Sequence, residues 1–371
     1  MRSTIIGIII GIVFGIMAGA SVVNPGLQQA ALKPAENPAA ISQQHPTSPP
    51  ALAQGSTSAK NSLNIINLFM PQTSLSKDIT AHVSEGFLAK FYAPNALVPE
   101  GDSVQAVKSG AVDALFGAPD IWDQNSATLQ LFSGIPFGPD AQEFLAWFYQ
   151  GGGQALFERQ FSRQRAHGIL CAILPASGSS WFRFPVRNID NLKDISLQSF
   201  GLGARVWTKM GAHVQTLKAK EALVAFKNGR LDAAHFGLPS VDGELGFGHS
   251  ARNYYFPSWQ QPTTPLALII NAKVWKNLPA RTQRSITQTC GDTVRYALST
   301  SDAVQFEALK KLGLSGVQVR RWPKSIFTEL KAKWKQVARE LVQKDPDFNT
   351  AWSSLHLFRR DYTIWRELSQ P

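Results

Sequence analysis

A nine-residue pattern that occurs twice constrains the fold more than any other feature of the sequence. Residues 106–114 (AVKSGAVDA) and 225–233 (AFKNGRLDA) agree at Ala, Lys, Gly, Asp and Ala, at a constant offset of 119 positions. Each copy predicts a helix that ends at a glycine, Gly110 or Gly229, which can adopt the left-handed cap because it has no β-carbon. A short β-run and a Gly-x-Pro turn follow in both copies. The repeat therefore predicts two similar α/β lobes.

The remaining pattern alternates strands with helices along the folded part of the chain. Apolar strands at 168–174 and 266–270 are far apart in sequence, as a pair of hinge crossings between lobes requires. This alternation predicts parallel sheets joined by right-handed crossovers. Further predicted elements are a strand at 64–69 and helices at 76–91, at 280–299, at 324–344 and at about 347–368.

These elements predict an α/β fold of two domains joined by hinge strands, with long C-terminal helices. We expect lobe I to comprise residues 61–175 and 263–305, and lobe II to comprise 176–262 and 306–371. In such a body the ligand usually binds between the lobes, near the carboxyl ends of the strands.

The N-terminal segment determines the compartment. Residues 5–23 form a run of 19 residues without a charge, long enough to enter or cross a bilayer as a helix. Small residues at 18–20 are typical of a cleaved signal, whereas glycines at every fourth position from Gly7 to Gly19 favour a packed membrane anchor. Both alternatives place the rest of the chain in the periplasm. Residues 24–60, rich in Pro, Ala, Ser and Gln, are predicted to be a disordered linker.

Charge and cysteine content exclude some classes of protein. The chain carries 37 basic and 26 acidic residues, and much of the surplus lies in 309–371, with thirteen basic and six acidic side chains. We interpret this tail as solvated helix faces and expect no nucleic-acid partner. Cys171 and Cys290 are far apart in sequence, so buried thiols are favoured over a disulfide. A Ser-rich turn at 177–180 lacks a nucleophile elbow, and we expect neither an enzyme nor a cofactor.

Several segments together resemble a known family, the solute receptors of the tripartite ATP-independent periplasmic (TRAP) transporters, and within it the subgroup that binds keto acids and related carboxylates. The resemblance covers nearly all of residues 61–323. The segments are 133–138 (SGIPFG), 146–153 (AWFYQGGG), 181–186 (WFRFPV), 191–193 (NLK), 201–203 (GLG), 210–212 (MGA), 232–234 (DAA) and 254–259 (YYFPSW). It implies that two lobes close over a small organic acid and deliver it to a membrane permease.

The residues at the expected ligand site depart from the family pattern. Gln198 stands where an arginine usually grips the carboxylate, and His235 and Gln261 replace two usual acids. Phe236 stands where Trp is usual, and Ser177 stands near the position of a usual Gln. The resemblance implies a site formed by these five residues together with Phe137, Trp181 and Trp259.

The missing charges change the ligand that we expect. Without two carboxylates the site loses the oxygen donors that hard cations require, so we predict no bound metal. Gln198 can donate a hydrogen bond but supplies no charge, and a protonated His235 could partly replace the arginine. The site then suits a small organic acid or a weakly acidic, partly aromatic solute. A receptor that no longer feeds a transporter, and serves as a membrane-tethered sensor or scaffold, is the alternative.

Overall fold

The computed structural model describes residues 62–70 and 73–369. Residues 5–23 and the predicted linker at 24–60 lie outside the described residues. The strands are β1 Leu63–Asn67, β2 Ala89–Tyr92, β3 Ala114–Gly117, β4 Ala166–Leu174, β5 Ser180–Phe182, β6 Ser196–Gln198, β7 His213–Gln215, β8 Ala233–Ala234, β9 Asn253–Phe256, β10 Thr264–Asn271 and β11 Gln318–Arg321. The α-helices are α1 Ser74–Gly86, α2 Ser103–Ser109, α3 Ala127–Ser133, α4 Ala141–Gln150, α5 Gly153–Arg163, α6 Gly201–Lys209, α7 Ala219–Lys227, α8 Pro239–Leu245, α9 Ala272–Asn277, α10 Ala280–Ala303, α11 Gln305–Leu314, α12 Lys324–Lys344 and α13 Pro346–Ser369.

The strands form two sheets, and each sheet is the centre of one lobe. The first lobe is built on the sheet β2-β1-β3-β10-β4, and the second lobe on the sheet β11-β9-β5-β8-β6-β7. The chain crosses between them at residues 175–179 and 257–263 and again near the start of α11. The predicted bilobed α/β fold with long C-terminal helices is therefore confirmed.

The prediction of parallel sheets was wrong, because both sheets are mixed. In the first sheet β10 runs antiparallel to β3 and β4, and in the second sheet β5 runs antiparallel to β8 and β9. Both exceptions follow a crossing. A strand that arrives from the opposite lobe begins at the edge of the sheet that faces that lobe. It therefore runs antiparallel to the strands that end at that edge.

The two copies of the repeat occupy equivalent places in the two sheets. The helices α2 and α7 are followed by Gly110 and Gly229, at φ values of 85° and 73°, and β3 and β8 follow. The repeated aspartates have the same role, because each carboxylate accepts a hydrogen bond from a neighbouring strand. Asp113 Oδ2 accepts from Asn64 N at 2.7 Å, and Asp232 Oδ2 accepts from Ser196 N at 2.9 Å.

The helix predicted at 76–91 ends earlier than expected. The helix α1 stops at Gly86, and the residues after Leu88 form β2, which pairs in parallel with β1. A β-carbon on Gly86 would overlap Thr289 of α10, so this glycine permits close contact between two helices. Sheet pairing then overrides the local apolar pattern of the following residues.

The expectation of free buried thiols was also wrong. Cys171 of β4 and Cys290 of α10 form a disulfide across a sequence separation of 119 residues. The helix α10 packs along β4, which brings the two cysteines together in the core of the first lobe. The spacing in the sequence carried no signal of this packing.

The C-terminal helices are fixed to the body by ion pairs and hydrogen bonds. Arg359 Nε of α13 donates to Glu143 Oε1 of α4 at 2.9 Å, and Glu143 is buried. Lys209 of α6 pairs with Glu340 of α12 at 2.7 Å. The first pair neutralises one basic side chain of the tail, whereas in the second pair the tail supplies the acid. Among the residues that the structure describes, no helix has the length and apolar character needed to cross a bilayer.

Candidate functional site

A small cavity of about 50 Å³ lies where the two sheets meet. Three strands from both lobes end at it, namely β3, β6 and β8. Its polar lining consists of Asp120, Gln130, Ser133, His235, Gln260 and Gln261, and the first three residues of α6 complete it. The cavity therefore lies at the carboxyl ends of strands between two lobes, where ligands bind in open α/β folds.

His235 follows β8 directly and is 1% exposed. Its Nδ1 lies 2.8 Å from the carbonyl oxygen of Ser179, and its Nε2 lies 3.0 Å from Oε1 of Gln261. The backbone N–H of His235 donates to the carbonyl of Gln198 at 2.9 Å. Burial lowers the pKa of His235, while its hydrogen-bond acceptors act in the opposite direction. The ring is held in one place by contacts at both nitrogens.

Two adjacent glutamines from the crossing at 257–263 close one side of the cavity. Gln260 Oε1 accepts from the indole N–H of Trp207 at 2.9 Å, and its Nε2 donates to the Ser179 carbonyl at 2.7 Å. Gln261 Nε2 donates to the carbonyl of Ser133 at 3.3 Å, a long bond. The amide of Gln260 is fixed from both ends, while that of Gln261 is held loosely on the side facing Ser133.

Asp120 supplies a carboxylate to the cavity from the first lobe. It follows the first Gly-x-Pro turn, and its backbone N–H donates to Ser133 Oγ at 2.8 Å. Burial raises the pKa of Asp120 to about 6. A β-carbon on Gly201, the first residue of α6, would lie 3.7 Å from Asp120 Oδ2. Asp120 therefore lies close to the N-terminus of α6, where backbone N–H groups have no partner within the helix.

The structure brings His235 and Gln261 together in the cavity wall, but it places Gln198 elsewhere. The side chain of Gln198 is 1% exposed, and its Oε1 accepts from the backbone N–H of Leu217 at 2.6 Å. Ser177 lies behind the cavity, where its Oγ contacts Ser258 Oγ at 3.0 Å. Neither Gln198 nor Ser177 lines the cavity.

The four predicted aromatic residues pack around the site without lining it. Trp181 is fully buried, stacks on Tyr254 at 3.9 Å between ring centroids and donates to Asp242 at 2.7 Å. Phe236 packs with Phe247 in the same cluster. Phe137 stacks on Trp259 with ring centroids 5.5 Å apart, and the Phe137 N–H donates to the Trp259 carbonyl at 2.6 Å.

The sequence patterns do not identify Asp120, Gln130, Ser133 or Gln260 as ligand residues. One signal was available in the sequence, because Asp120 and His235 both adjoin a Gly-x-Pro turn. Asp120 directly follows the turn of the first repeat, and His235 lies just before the turn of the second. Arg205 lies next to the cavity lining. Its Nε donates to Gln130 Oε1 at 3.1 Å.

The lobes are in contact around the cavity. The Ser74 N–H at the start of α1 donates to the Glu244 carboxylate of α8 at 3.0 Å, and Lys218 Nζ pairs with Glu100 Oε2 at 2.8 Å. Both pairs join the first lobe to the second. The two lobes are therefore in direct contact.

Comparison with known proteins identifies the family. Residues 74–345 match the family model of DctP, bacterial extracellular solute-binding protein family 7. The chain belongs to this family, and it is an extracytoplasmic solute-binding protein of the TRAP type.

Three relatives illustrate the similarity. A monocarboxylate 2-oxoacid-binding periplasmic protein of Nostoc is 25% identical over 305 residues, covering 82% of this chain and 84% of the relative. A TRAP solute-binding protein of Bordetella bronchiseptica, solved with calcium and picolinate, has a TM-score of 0.79 at 23% identity, over 84% of this chain and 95% of that one. One from Colwellia psychrerythraea, with calcium and pyruvate, has a TM-score of 0.78 at 23% identity, over 84% and 97%.

The residues of this cavity do not match a calcium site. Calcium takes six to eight oxygen ligands and favours several carboxylates. Asp120 is the one carboxylate among the described residues lining the cavity, and His235 presents nitrogens instead of oxygens. Gln261 Oε1 is already engaged by His235. No group of three or more His, Cys, Asp or Glu side chains suited to a metal ion occurs within the described ranges.

Proposed function

We propose that the cavity between the lobes is the solute site of this receptor, and that it captures a small organic acid for a TRAP permease in the membrane. The observation that carries the proposal is the cavity at the carboxyl ends of β3, β6 and β8. Closure of two lobes sequesters the solute, and the free energy of closure comes from contacts made to it across the cleft.

The lining supports an anionic solute. The N-terminus of α6 favours negative charge through its free N–H groups and the helix dipole. The amide of Gln130 is engaged by the Gln124 carbonyl and by Arg205, so the further hydrogen-bond donor that we propose is the amide of Gln261. We propose that His235 and Gln261 contact the solute directly, and that Gln198, Ser177, Phe137, Trp181, Phe236 and Trp259 support the site from behind. The cavity of about 50 Å³ limits the solute to a few heavy atoms unless the lobes part.

The relatives indicate which acids to test first. The Nostoc protein is named for monocarboxylate 2-oxoacids, and the Colwellia protein was solved with pyruvate. A single carboxylate suits a site with one helix N-terminus and an acidic residue beside it, because a second carboxylate would approach Asp120. We propose a small monocarboxylate, with pyruvate as the reference compound.

The proposal extends to the organisation of the chain. The lobe boundaries at 175/176, 262/263 and 305/306 stand as our proposal, with α12 packing on α6 of the second lobe and α13 reaching back onto α3, α4 and α5. We propose that residues 5–23 carry the chain to the periplasm, either as a cleaved signal or as an inner-membrane anchor with 24–60 as its linker. Mass spectrometry of the N-terminus of protein isolated from membranes separates the two.

A thermal-shift screen of the purified chain tests the ligand class. The panel comprises pyruvate, longer 2-oxo acids, picolinate, malonate and neutral solutes of similar size. A binding ligand stabilises the protein by RT ln(1 + [L]/Kd), about 2.7 kcal/mol at 100 times its Kd. We expect monocarboxylates to raise Tm and neutral solutes to leave it unchanged. Silence across the whole panel would instead support the alternative of a membrane-tethered sensor or scaffold without transport.

Weakening the contact between the lobes should weaken ligand binding. In Glu244→Ala, the acceptor for the Ser74 N–H is removed, and the closed form loses about 0.5–1 kcal/mol because the contact is exposed. We expect the Kd for pyruvate to rise about two- to fivefold. Isothermal titration calorimetry measures it.

Glu329→Ala is the control, because Glu329 pairs only with Lys333 within α12 among the described ion pairs. If both variants bind pyruvate with the same Kd as the unchanged protein, the Ser74–Glu244 contact does not contribute to closure.

A further inference from the structure

The hydrogen bonds of His235 do not balance for a neutral ring. The Ser179 carbonyl can only accept, so Nδ1 of His235 carries a proton. Neutral imidazole then has an acceptor at Nε2. However, Nε2 faces the Oε1 of Gln261, which is also an acceptor. With Gln261 in this orientation, a neutral ring places two acceptors 3.0 Å apart, and a second proton taken up on Nε2 would turn this contact into a hydrogen bond.

The amide orientation of Gln261 therefore depends on the charge of His235. A charged ring pairs with Oε1 and leaves the NH₂ group of Gln261 directed at the Ser133 carbonyl, 3.3 Å away. A neutral ring pairs with the NH₂ group, and Oε1 would then face the Ser133 carbonyl, which places two acceptors together. Each protonation state of His235 thus presents a different group of Gln261 to the cavity.

An anionic ligand selects one of these states. A carboxylate in the cavity accepts from the NH₂ group of Gln261, which leaves Oε1 towards His235 and favours the proton on Nε2. A ligand that donates hydrogen bonds favours the opposite amide orientation and the neutral ring. His235 and Gln261 together can therefore distinguish an anionic ligand from a ligand that donates hydrogen bonds, without an arginine.

We propose that His235 is the specificity-determining residue of the cleft, and that an anionic ligand is captured together with one proton held on His235. This proposal rests on the proposed function, since it concerns the same cavity and the same class of ligand. The imidazolium supplies positive charge at a site whose residues do not match a metal ion. The proton comes from solvent, so that no covalent chemistry is involved.

Other charged groups near the ring have to be separated from it. Asp120 lines the same cavity, and burial raises its pKa to about 6. Arg205 reaches the lining through Gln130. Asp242 of α8 accepts hydrogen bonds from Trp181 and Tyr254 in the adjoining core. An anion near Asp120 would also favour proton uptake by the Asp120 carboxylate itself. Asp120→Asn is therefore needed as a comparison.

Calorimetry across pH tests the proposal. Pyruvate is titrated into the full chain from pH 5.5 to 8.5, in buffers of different ionisation enthalpy, for the unchanged protein, Asp120→Asn and His235→Gln. We expect the protein to take up nearly one proton per pyruvate bound. In the pH window where this uptake occurs, the affinity for pyruvate should fall up to tenfold for each unit by which the pH rises. Asp120→Asn should keep this dependence, and His235→Gln should lose it.

Histidine ¹⁵N NMR of the unchanged protein provides a readout that does not require the His235 variant to fold. Pyruvate should convert the buried imidazole from one protonated nitrogen to two. Binding with no proton uptake, or uptake that disappears in Asp120→Asn, would overturn the proposal while leaving the proposed function intact. Absence of binding at every pH would overturn both.

Discussion

Replacing Asp242 with alanine is expected to lower the free energy of unfolding by about 3–6 kcal/mol. The carboxylate accepts three hydrogen bonds inside the second lobe. They come from Trp181 Nε1 at 2.7 Å, Tyr254 OH at 2.9 Å and the Gly237 N–H at 3.0 Å. Alanine leaves the Trp181 and Gly237 donors without this acceptor and leaves the Tyr254 hydroxyl only a long contact to the Gly237 carbonyl at 3.5 Å, and each unsatisfied donor costs about 1–3 kcal/mol. The substitution also removes the desolvation cost of a buried carboxylate, which offsets part of the loss in stability.

Urea unfolding of the unchanged protein, Asp242→Asn and Asp242→Ala measures this effect. The asparagine variant keeps one oxygen and should lose less than the alanine variant. Asp190→Ala is a surface control, since that side chain is 76% exposed and pairs with Lys193. Equal stability of Asp242→Ala and Asp190→Ala would show that the three hydrogen bonds are not important for the fold.

Asp242 also gives stability a defined dependence on pH. Burial raises its pKa to about 6, above the usual value of 3.8 for an aspartate. The folded state therefore holds the proton more strongly than the unfolded chain. This contribution is fully present below pH 3.8 and is lost as the pH rises through about 6. The contribution of this group should be absent from the pH profile of Asp242→Ala.

Removing the disulfide is the second change with a large expected effect. Cys171→Ala with Cys290→Ala should lower the free energy of unfolding by about 2–4 kcal/mol, because the bond restricts the unfolded chain over a long loop. Thermal or urea unfolding of the double variant measures the loss. The unchanged protein under reducing conditions is the matched control and should show a similar loss. Stability that is the same with and without reductant would indicate that the two cysteines are not bonded.

The sequence predicted the parts of the fold that depend on local patterns. The helices α12 and α13 begin and end within a residue or two of the predicted limits, because their apolar residues recur at helical spacing. The repeated Gly and Asp positions identified equivalent turns in both lobes. These features are encoded in residues that are close together in the chain.

The features that the sequence did not predict depend on contacts between distant segments. The antiparallel strands β5 and β10 follow from the direction in which the chain crosses between lobes, and the disulfide follows from the packing of α10 on β4. Gln198 illustrates the limit of a family pattern at the site. The resemblance predicts that it takes the position of a usual arginine, yet its amide binds the backbone of Leu217 instead of facing the cavity. Asp120 faces the cavity from the other lobe, and only the fold brings it there.

The most direct test of the account asks whether pyruvate binding requires the cavity itself. Ala118 lines the cavity, and Ala118→Phe places a ring in the space of about 50 Å³. Ala280→Phe adds the same ring at an exposed position at the start of α10. Calorimetric titration with pyruvate should give one site per chain, with equal Kd, for the unchanged protein and Ala280→Phe, and no binding for a folded Ala118→Phe. Equal binding by Ala118→Phe would contradict the assignment of this cavity as the solute site.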